Sequence, residues 1–362
     1  MIILVVFGIL FLSTLSAPAS MRSFGNTNYF LIHQLYLLLA GIILAIVAYK
    51  FPLNYFKKLA PYLLLVNLVL LIITILPVFG TKFGGARRWI NIGIATFQPS
   101  EFLKITAILY LSALISNKLL ERRKGEWILV AKKGYHNVKH IFVPFIIFLS
   151  VISVLLALQP DIGTLGIIGL TLVLMYFSAG TPIWNTVLIF LAAISGFFAL
   201  IKFEPYRLDR WLIFLHPETD PLGKGLQMKQ SLIAIGSGGL WGKGWGMSSQ
   251  KFGFLPQAMS DSIFAVLGEE TGIIGCLFLV FLLAGFLWLG IRIAKSSNNR
   301  FAQLTAVGIT FWISIQAFLN IAVNLGLVPL AGIPLPFFSY GGSHLVAELI
   351  GVGILLNISK NG

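Results

Sequence analysis

Residues 262–291 read SIFAVLGEETGIIGCLFLVFLLAGFLWLGI. Beyond the Gly268-Glu269-Glu270-Thr271-Gly272 step the run is apolar and carries no charge. About 20 such residues in a helix cross a hydrocarbon core. This stretch is longer than one crossing needs. It is therefore either a tilted helix or a span preceded by a short interfacial helix. Nine further apolar segments fall at roughly 2–16, 30–49, 59–78, 101–116, 141–158, 162–180, 183–201, 303–325 and 343–358. Together they predict an all-α polytopic membrane protein with about ten transmembrane helices. Residues 1–362 form one membrane domain with a large extracytoplasmic loop over about 202–260.

Composition agrees. The 362 residues are 57% hydrophobic and 10% charged, against about 25% charged in soluble proteins. The mean hydropathy is +0.92. Such a chain cannot build the polar shell of a soluble enzyme, and it is neither disordered nor a coiled coil. The first segment ends near Ala17-Pro18-Ala19, which resembles a cleavage site. No Lys or Arg precedes it, so the basic start of a signal peptide is missing and it reads as a transmembrane helix.

The net charge of +14 comes from 26 Lys and Arg against 12 Asp and Glu. In a membrane protein, basic loop residues set orientation rather than indicating nucleic acid. Counted over short loops with the N-terminus inside, fourteen Lys and Arg lie on the cytoplasmic side and four on the other. Both termini are therefore expected in the cytoplasm. Only Glu121 and Glu126 then lie in a clear cytoplasmic loop. Glu269, Glu270 and Glu348 fall inside apolar segments, where charge is costly and marks pairing or function. The remaining seven carboxylates gather at the extracytoplasmic side.

Several of these positions could carry chemistry. Asp261 stands where the eighth segment begins, as a helix cap or as a general base. Glu101 and Lys104 are three apart at the start of the fourth segment and can pair. Asp161 follows a helix-ending Pro160 and could also be a cap. Arg207 and Arg210 share a helix face, which suits a phosphate or pyrophosphate or a lipid headgroup. The glycine-rich GSGGLWGKGWG at 236–246 is not a nucleotide loop, because Gly244 rather than Ser or Thr follows Lys243. It reads as a tight loop whose backbone can approach a ligand or the membrane. His344 and Glu348, four apart, read as a hydrogen-bonded pair, since two ligands do not make a zinc site. The lone Cys276 permits no intrachain disulfide.

Read together, several strings resemble the SEDS family of shape, elongation, division and sporulation proteins, which includes FtsW, RodA and SpoVE. They are GARRWI at 85–90 with QPSE at 98–101, QPDIGT at 159–164 and HPETDPLGKG at 216–225. The others are IAIGSGGLWGKGWG at 233–246, FLPQAMSDSIFAVLGEE at 254–270 and GIPLPFFSYGGS at 332–343. The strings around 248–253 and 353–359 look FtsW-like, and Gly242-Lys243-Gly244-Trp245 looks RodA-like, so the FtsW-like branch is favoured. One departure is Met259-Ser260, where the family has His-Thr before its catalytic Asp.

The resemblance implies a peptidoglycan glycosyltransferase that polymerises lipid II on the outer face of the bacterial cytoplasmic membrane. It implies a class B penicillin-binding protein as partner, among other membrane proteins of the division or elongation machinery. The family's catalytic Asp falls on Asp261. Its other cavity positions fall on Glu101, Lys104, Asp161 and, by extension, Arg207 and Arg210. A divalent cation, Mg or Mn, could join the pyrophosphate, although no dedicated metal cage is visible in the sequence. Two other readings remain open at this point: a lipid II flippase, and a non-catalytic scaffold for the penicillin-binding protein.

Overall fold

A computed structural model describes residues 1–76, 80–83, 86–91, 93, 96–121, 141–181, 184–185, 187–192, 196, 205–220 and 223–361, without the side chains of 82–83, 86, 118–121, 205–209 and 361. Nine of the ten expected apolar segments coincide with helices. They are α1 (Ile2–Phe24), α2 (Tyr29–Lys50), α3 (Leu53–Ile75), α4 (Pro99–Glu121), α5 (Val143–Leu158), α6 (Ile162–Ser178), α9 (Ile263–Ser296), α10 (Arg300–Asn324) and α11 (Gly342–Asn361). Seven of these are long and apolar enough to cross a membrane, and α5 and α6 are shorter apolar helices. The chain is a multi-pass membrane protein. Of the expected segment at 183–201, only residues 184–185, 187–192 and 196 are among the described residues. Two helices, α7 (Pro205–Leu215) and α8 (Lys224–Gly238), organise the expected long loop.

A three-stranded antiparallel sheet was not expected. It joins β1 (Gly80–Phe83), β2 (Ala86–Asn91) and β3 (Thr96–Phe97) in the order β1-β2-β3. Thr81 pairs with Trp89 and Ile90 with Phe97. Strands this short leave almost no alternating pattern to read.

The chain groups into two compact units. One comprises Met1–Ala40, Ser195–Leu287 and Ile313–Leu345; the other comprises Gly41–Ile194, Trp288–Trp312 and Val346–Gly362. In the first, α1 turns Leu4, Phe11, Leu12 and Leu15 inward. Phe7 and Phe11 meet Trp245, Phe278 and Phe338 with ring centroids 5.2–5.8 Å apart. That aromatic cluster ties α1, the glycine-rich loop, α9 and the 330–341 segment together. In the second unit, α3, α4, α5 and α6 bury Leu71, Leu103, Ile108, Phe145, Ile152 and Tyr176. Gln159 fastens α3 by donating to the Leu71 carbonyl at 2.9 Å.

The α9 stretch is two helical pieces. Gly272 has φ 65° and ψ −164°, a conformation outside the helix. The uncharged run 273–291 follows the break, and Glu269 and Glu270 precede it on a short helical piece. The reading of a span preceded by a short helix therefore holds for this stretch. The glycine-rich loop seats in the break. Ile273 N–H donates to Gly239 O at 3.0 Å, and Lys243 N–H donates to Glu269 O at 2.9 Å.

A side chain at Gly272 would strike the Leu240 and Gly242 backbone, and its φ and ψ are those only glycine tolerates. Gly272→Ala is expected to destabilise the protein by at least about 1–3 kcal/mol. Gly285→Ala, where a methyl meets nothing within 4 Å, should leave the melting temperature in detergent unchanged or slightly raised. Equal melting temperatures for the two variants would refute the account of the break.

Candidate active site

In the second unit, Glu101 opens α4 and Lys104 lies one turn on, because three-residue spacing places both on one helix face. Lys104 Nζ donates to Glu101 Oε2 at 2.7 Å, with both side chains almost fully buried. The ammonium also lies over the Trp312 ring, 5.5 Å from its centroid. Isolated charges are not tolerated in such surroundings, and this pair survives because each partner neutralises the other. Asp161 holds the N-cap position of α6, yet its side chain makes no cap bond. Instead Asp161 Oδ2 accepts from Ser100 Oγ at 3.1 Å. Arg88 Nη1 stands 3.9 Å from Asp161 Oδ1. Arg88 Nε also donates to Gln159 O at 3.0 Å, and its Nη2 to Pro160 O. Glu101, Lys104 and Asp161 are thus gathered in one unit through Ser100, the residue adjoining Glu101. The strand β2 is what delivers Arg88 to Asp161.

In the first unit, the turn bearing Asp261 is bonded on every side. The first backbone bonds of α9 return to the Ser262 carbonyl, so Ser262 rather than Asp261 holds the cap position. Gln257 has φ 54°, and its carbonyl accepts the N–H groups of Ser260 and Ser262 at 3.0 and 3.1 Å. Ser339 Oγ donates to Ser260 O at 2.6 Å, and Tyr340 N–H donates to Met259 O at 2.8 Å. The Asp261 carbonyl accepts Asn320 Nδ2 at 2.8 Å and Asn324 Nδ2 at 2.9 Å. The Asp261 carboxylate is half-buried and faces Gly332, where a β-carbon would stand 3.6 Å from Oδ2.

The 330–341 segment is itself held from two helices. Asn320 donates to Ile333 O at 2.7 Å and Gln316 to Pro334 O at 3.2 Å. From α2, Gln34 Oε1 accepts Gly341 N–H at 3.1 Å, and His33 Nδ1 lies 3.0 Å from the Tyr340 hydroxyl. Burial pushes the Tyr340 phenol up to about 12, with Tyr29 adding to the shift. Tyr340 therefore stays protonated near neutral pH.

Arg210 reaches the same segment. On α7, its Nη1 donates to Leu330 O at 3.1 Å, and with Lys224, Met228 and Leu330 it lines a small cleft. Arg210 and Asp261 are thereby brought to one loop, two residues apart at Leu330 and Gly332. The Arg207 side chain lies outside the described residues.

Glu269 and Glu270 are fully buried, and their bonds account for them without catalysis. Glu269 accepts Lys243 Nζ at 2.6 Å, Ser249 Oγ at 2.9 Å and Ser248 Oγ. Glu270 accepts the N–H groups of Gly246 at 2.8 Å and Ser248 at 3.2 Å, with Lys251 at 3.7 Å. The two carboxylates serve as acceptors for a non-helical backbone that would otherwise lose its partners on burial.

Sequence reasoning passed over Arg88 as a site residue, and also Ser100, Ser339, Gln316, Asn320 and Asn324. One signal was present: Gln316, Asn320 and Asn324 recur every four residues on an apolar helix, a polar stripe that must face protein. Arg88 had no comparable signal, because a short strand carries it.

Comparison with known proteins identifies relatives over the whole chain. The family model FTSW_RODA_SPOVE, described as cell cycle protein, matches residues 1–362. Stage V sporulation protein E of Bacillus subtilis is 37% identical, covering 99% of this chain and 94% of its own. A probable peptidoglycan glycosyltransferase FtsW of Coxiella burnetii is 38% identical, covering 98% and 93%. A chain from a solved peptidoglycan synthase complex superposes with a TM-score of 0.75 at 26% identity, covering 98% of this chain and 96% of that one. The rod shape determining protein RodA of Thermus thermophilus shares the fold, with a TM-score of 0.66 at 24% identity over 98% and 95% of the two chains.

The buried Glu101–Lys104 pair makes a stability test. Glu101→Gln or Lys104→Met alone removes one partner of a buried pair and should cost about 3–5 kcal/mol. The double variant should cost less than the two single losses added together. Strict additivity in melting temperature would show that the pair does not interact.

Proposed function

The chain belongs to the FtsW/RodA/SpoVE family, and on that premise we propose how it works as a peptidoglycan glycosyltransferase. It joins lipid II units into glycan strands, with Asp261 as general base. The observation that carries this reading is the Asp261 turn: a half-buried carboxylate on a backbone bonded from α10 and the 330–341 segment, with Arg210 tied to the same segment.

The donor sugar is linked through an α-pyrophosphate to a polyprenyl chain, and the product bond is β-1,4. One displacement accounts for that inversion. Asp261 accepts the proton of the acceptor 4-hydroxyl as its oxygen forms the bond to the donor anomeric carbon. The bond from that carbon to the pyrophosphate oxygen breaks, and the polyprenyl pyrophosphate leaves with the electron pair. Glycosidases need a second carboxyl group to protonate a poor leaving group. Pyrophosphate leaves unaided by an acid, so one base suffices. Arg210 and Arg207 are assigned to the negative charge that develops on it, where a fixed cation stabilises most. Glu101, Lys104 and Asp161, with Arg88, are assigned to substrate binding.

Among the described residues no three His, Cys, Asp or Glu come together. The steps above route nothing through a metal, and a divalent cation on the pyrophosphate is kept as a proposal. We place the protein in the bacterial cytoplasmic membrane with the site on the extracytoplasmic side, as the asymmetry of basic loops supports. A class B penicillin-binding protein is the proposed partner, consistent with the likeness to a peptidoglycan synthase complex. Relatives named FtsW at 38 and 36% identity support the FtsW-like branch.

The reading is tested with lipid II, the protein and its partner, following glycan chains on a gel. Asp261→Asn is isosteric and should lower polymerisation by at least about 10²–10⁴-fold. Polymerisation near the wild-type rate would remove Asp261 from the base role.

A further inference from the structure

Asp261 lies before the first helical turn, whose first backbone bonds return to the Ser262 carbonyl. Two side chains from α10 supply the bonds to the Asp261 carbonyl described above. Asn320 places its two amide hydrogens on different segments, one on Asp261 O and one on Ile333 O, at 2.8 and 2.7 Å. Its Oδ1 faces Asn324 Nδ2 at 3.3 Å, which orients the amide with its nitrogen toward the two carbonyls. Asn324 adds the second bond to Asp261 O at 2.9 Å and bonds Asn320 O at 2.9 Å. Gln316, one turn earlier, continues the stripe onto Pro334 O at 3.2 Å. All three amides are nearly or fully buried. One helix face thus sutures the turn that carries the carboxylate to the segment that flanks it.

We propose that Asn320 and Asn324 are positioning residues for catalysis: they set where the Asp261 carboxylate stands relative to Gly332 and the Arg210-bonded Leu330. The proposal rests on the reading of Asp261 as the base. A base works only when held within hydrogen-bond reach of the proton it takes, and a displacement of about 1 Å can cost 10²-fold in rate. The amides touch the Asp261 backbone and not its carboxylate, so they act through its position.

Asn357 supplies the control. It too is buried, and its Nδ2 bonds two backbone carbonyls, Ala48 O at 3.0 Å and Phe51 O at 2.6 Å. A purely structural amide should behave as Asn357 does.

The experiment measures polymerisation of lipid II by the full-length protein with its partner, alongside melting temperature in detergent. Asn320→Leu and Asn324→Leu are expected to lower kcat by about ten- to hundred-fold, with KM within about threefold. Asn357→Leu should lose comparable melting temperature and keep its kcat. In an Asp261→Asn background, Asn320→Leu should cause no further loss of the residual rate, because the base it positions is gone. A kcat for both α10 variants equal to that of Asn357→Leu overturns the proposal, as does a full further loss in the Asp261→Asn background. If Asn320→Leu does not fold, Asn324→Leu, which leaves one donor on the carbonyl, carries the same comparison. An active Asp261→Asn variant instead overturns the base reading itself, so the two failures are told apart.

Discussion

A backbone group outside a helix must find a hydrogen-bond partner when water is excluded, and in this chain side chains on neighbouring helices provide it. The 239–254 loop finds its acceptors in Glu269 and Glu270. The 257–262 turn and the 330–341 segment find their donors in Gln316, Asn320, Asn324 and Ser339. Non-helical backbone survives in a membrane protein where it is buried in protein and satisfied there. The residues that look most out of place in apolar helices are the ones that meet this demand.

The same demand separates two kinds of carboxylate. Glu269 and Glu270 are saturated by backbone N–H groups, serine hydroxyls and lysines, which leaves them structural work. Asp261 is different. Its backbone is held from α10, and the residue stands half-buried beside Gly332. Fixing the main chain fixes where the side chain starts, which is how a scaffold prepares a reactive group.

Much of this was legible in the residues. Apolar runs marked nine helices that the structure contains, and a short helix before the span was one of two readings of the eighth run; the break at Gly272 came only from the structure. The pairing of Glu101 with Lys104 followed from their spacing. Asp161 could be read as a cap, and it does hold the cap position, but its side chain is turned to Ser100 and Arg88 instead. The sheet that brings Arg88 there has strands of two to six residues, too short for a period to show. The Gln316-Asn320-Asn324 stripe had a period, yet nothing in it named the carbonyls it would meet.

Local order in this protein is written in the sequence because hydrophobicity and helical spacing act over a few neighbouring residues. Membrane helices, candidate charged positions and the family resemblance all follow from such short-range patterns. Which carboxylate is fully buried and which stands half-buried on a sutured turn was decided by the tertiary structure alone. The partners of Asp261 lie 59 and 63 residues away and those of Glu269 about 20. Hydrogen bonds depend on distances of a few tenths of an ångström, and only the packed helices set those.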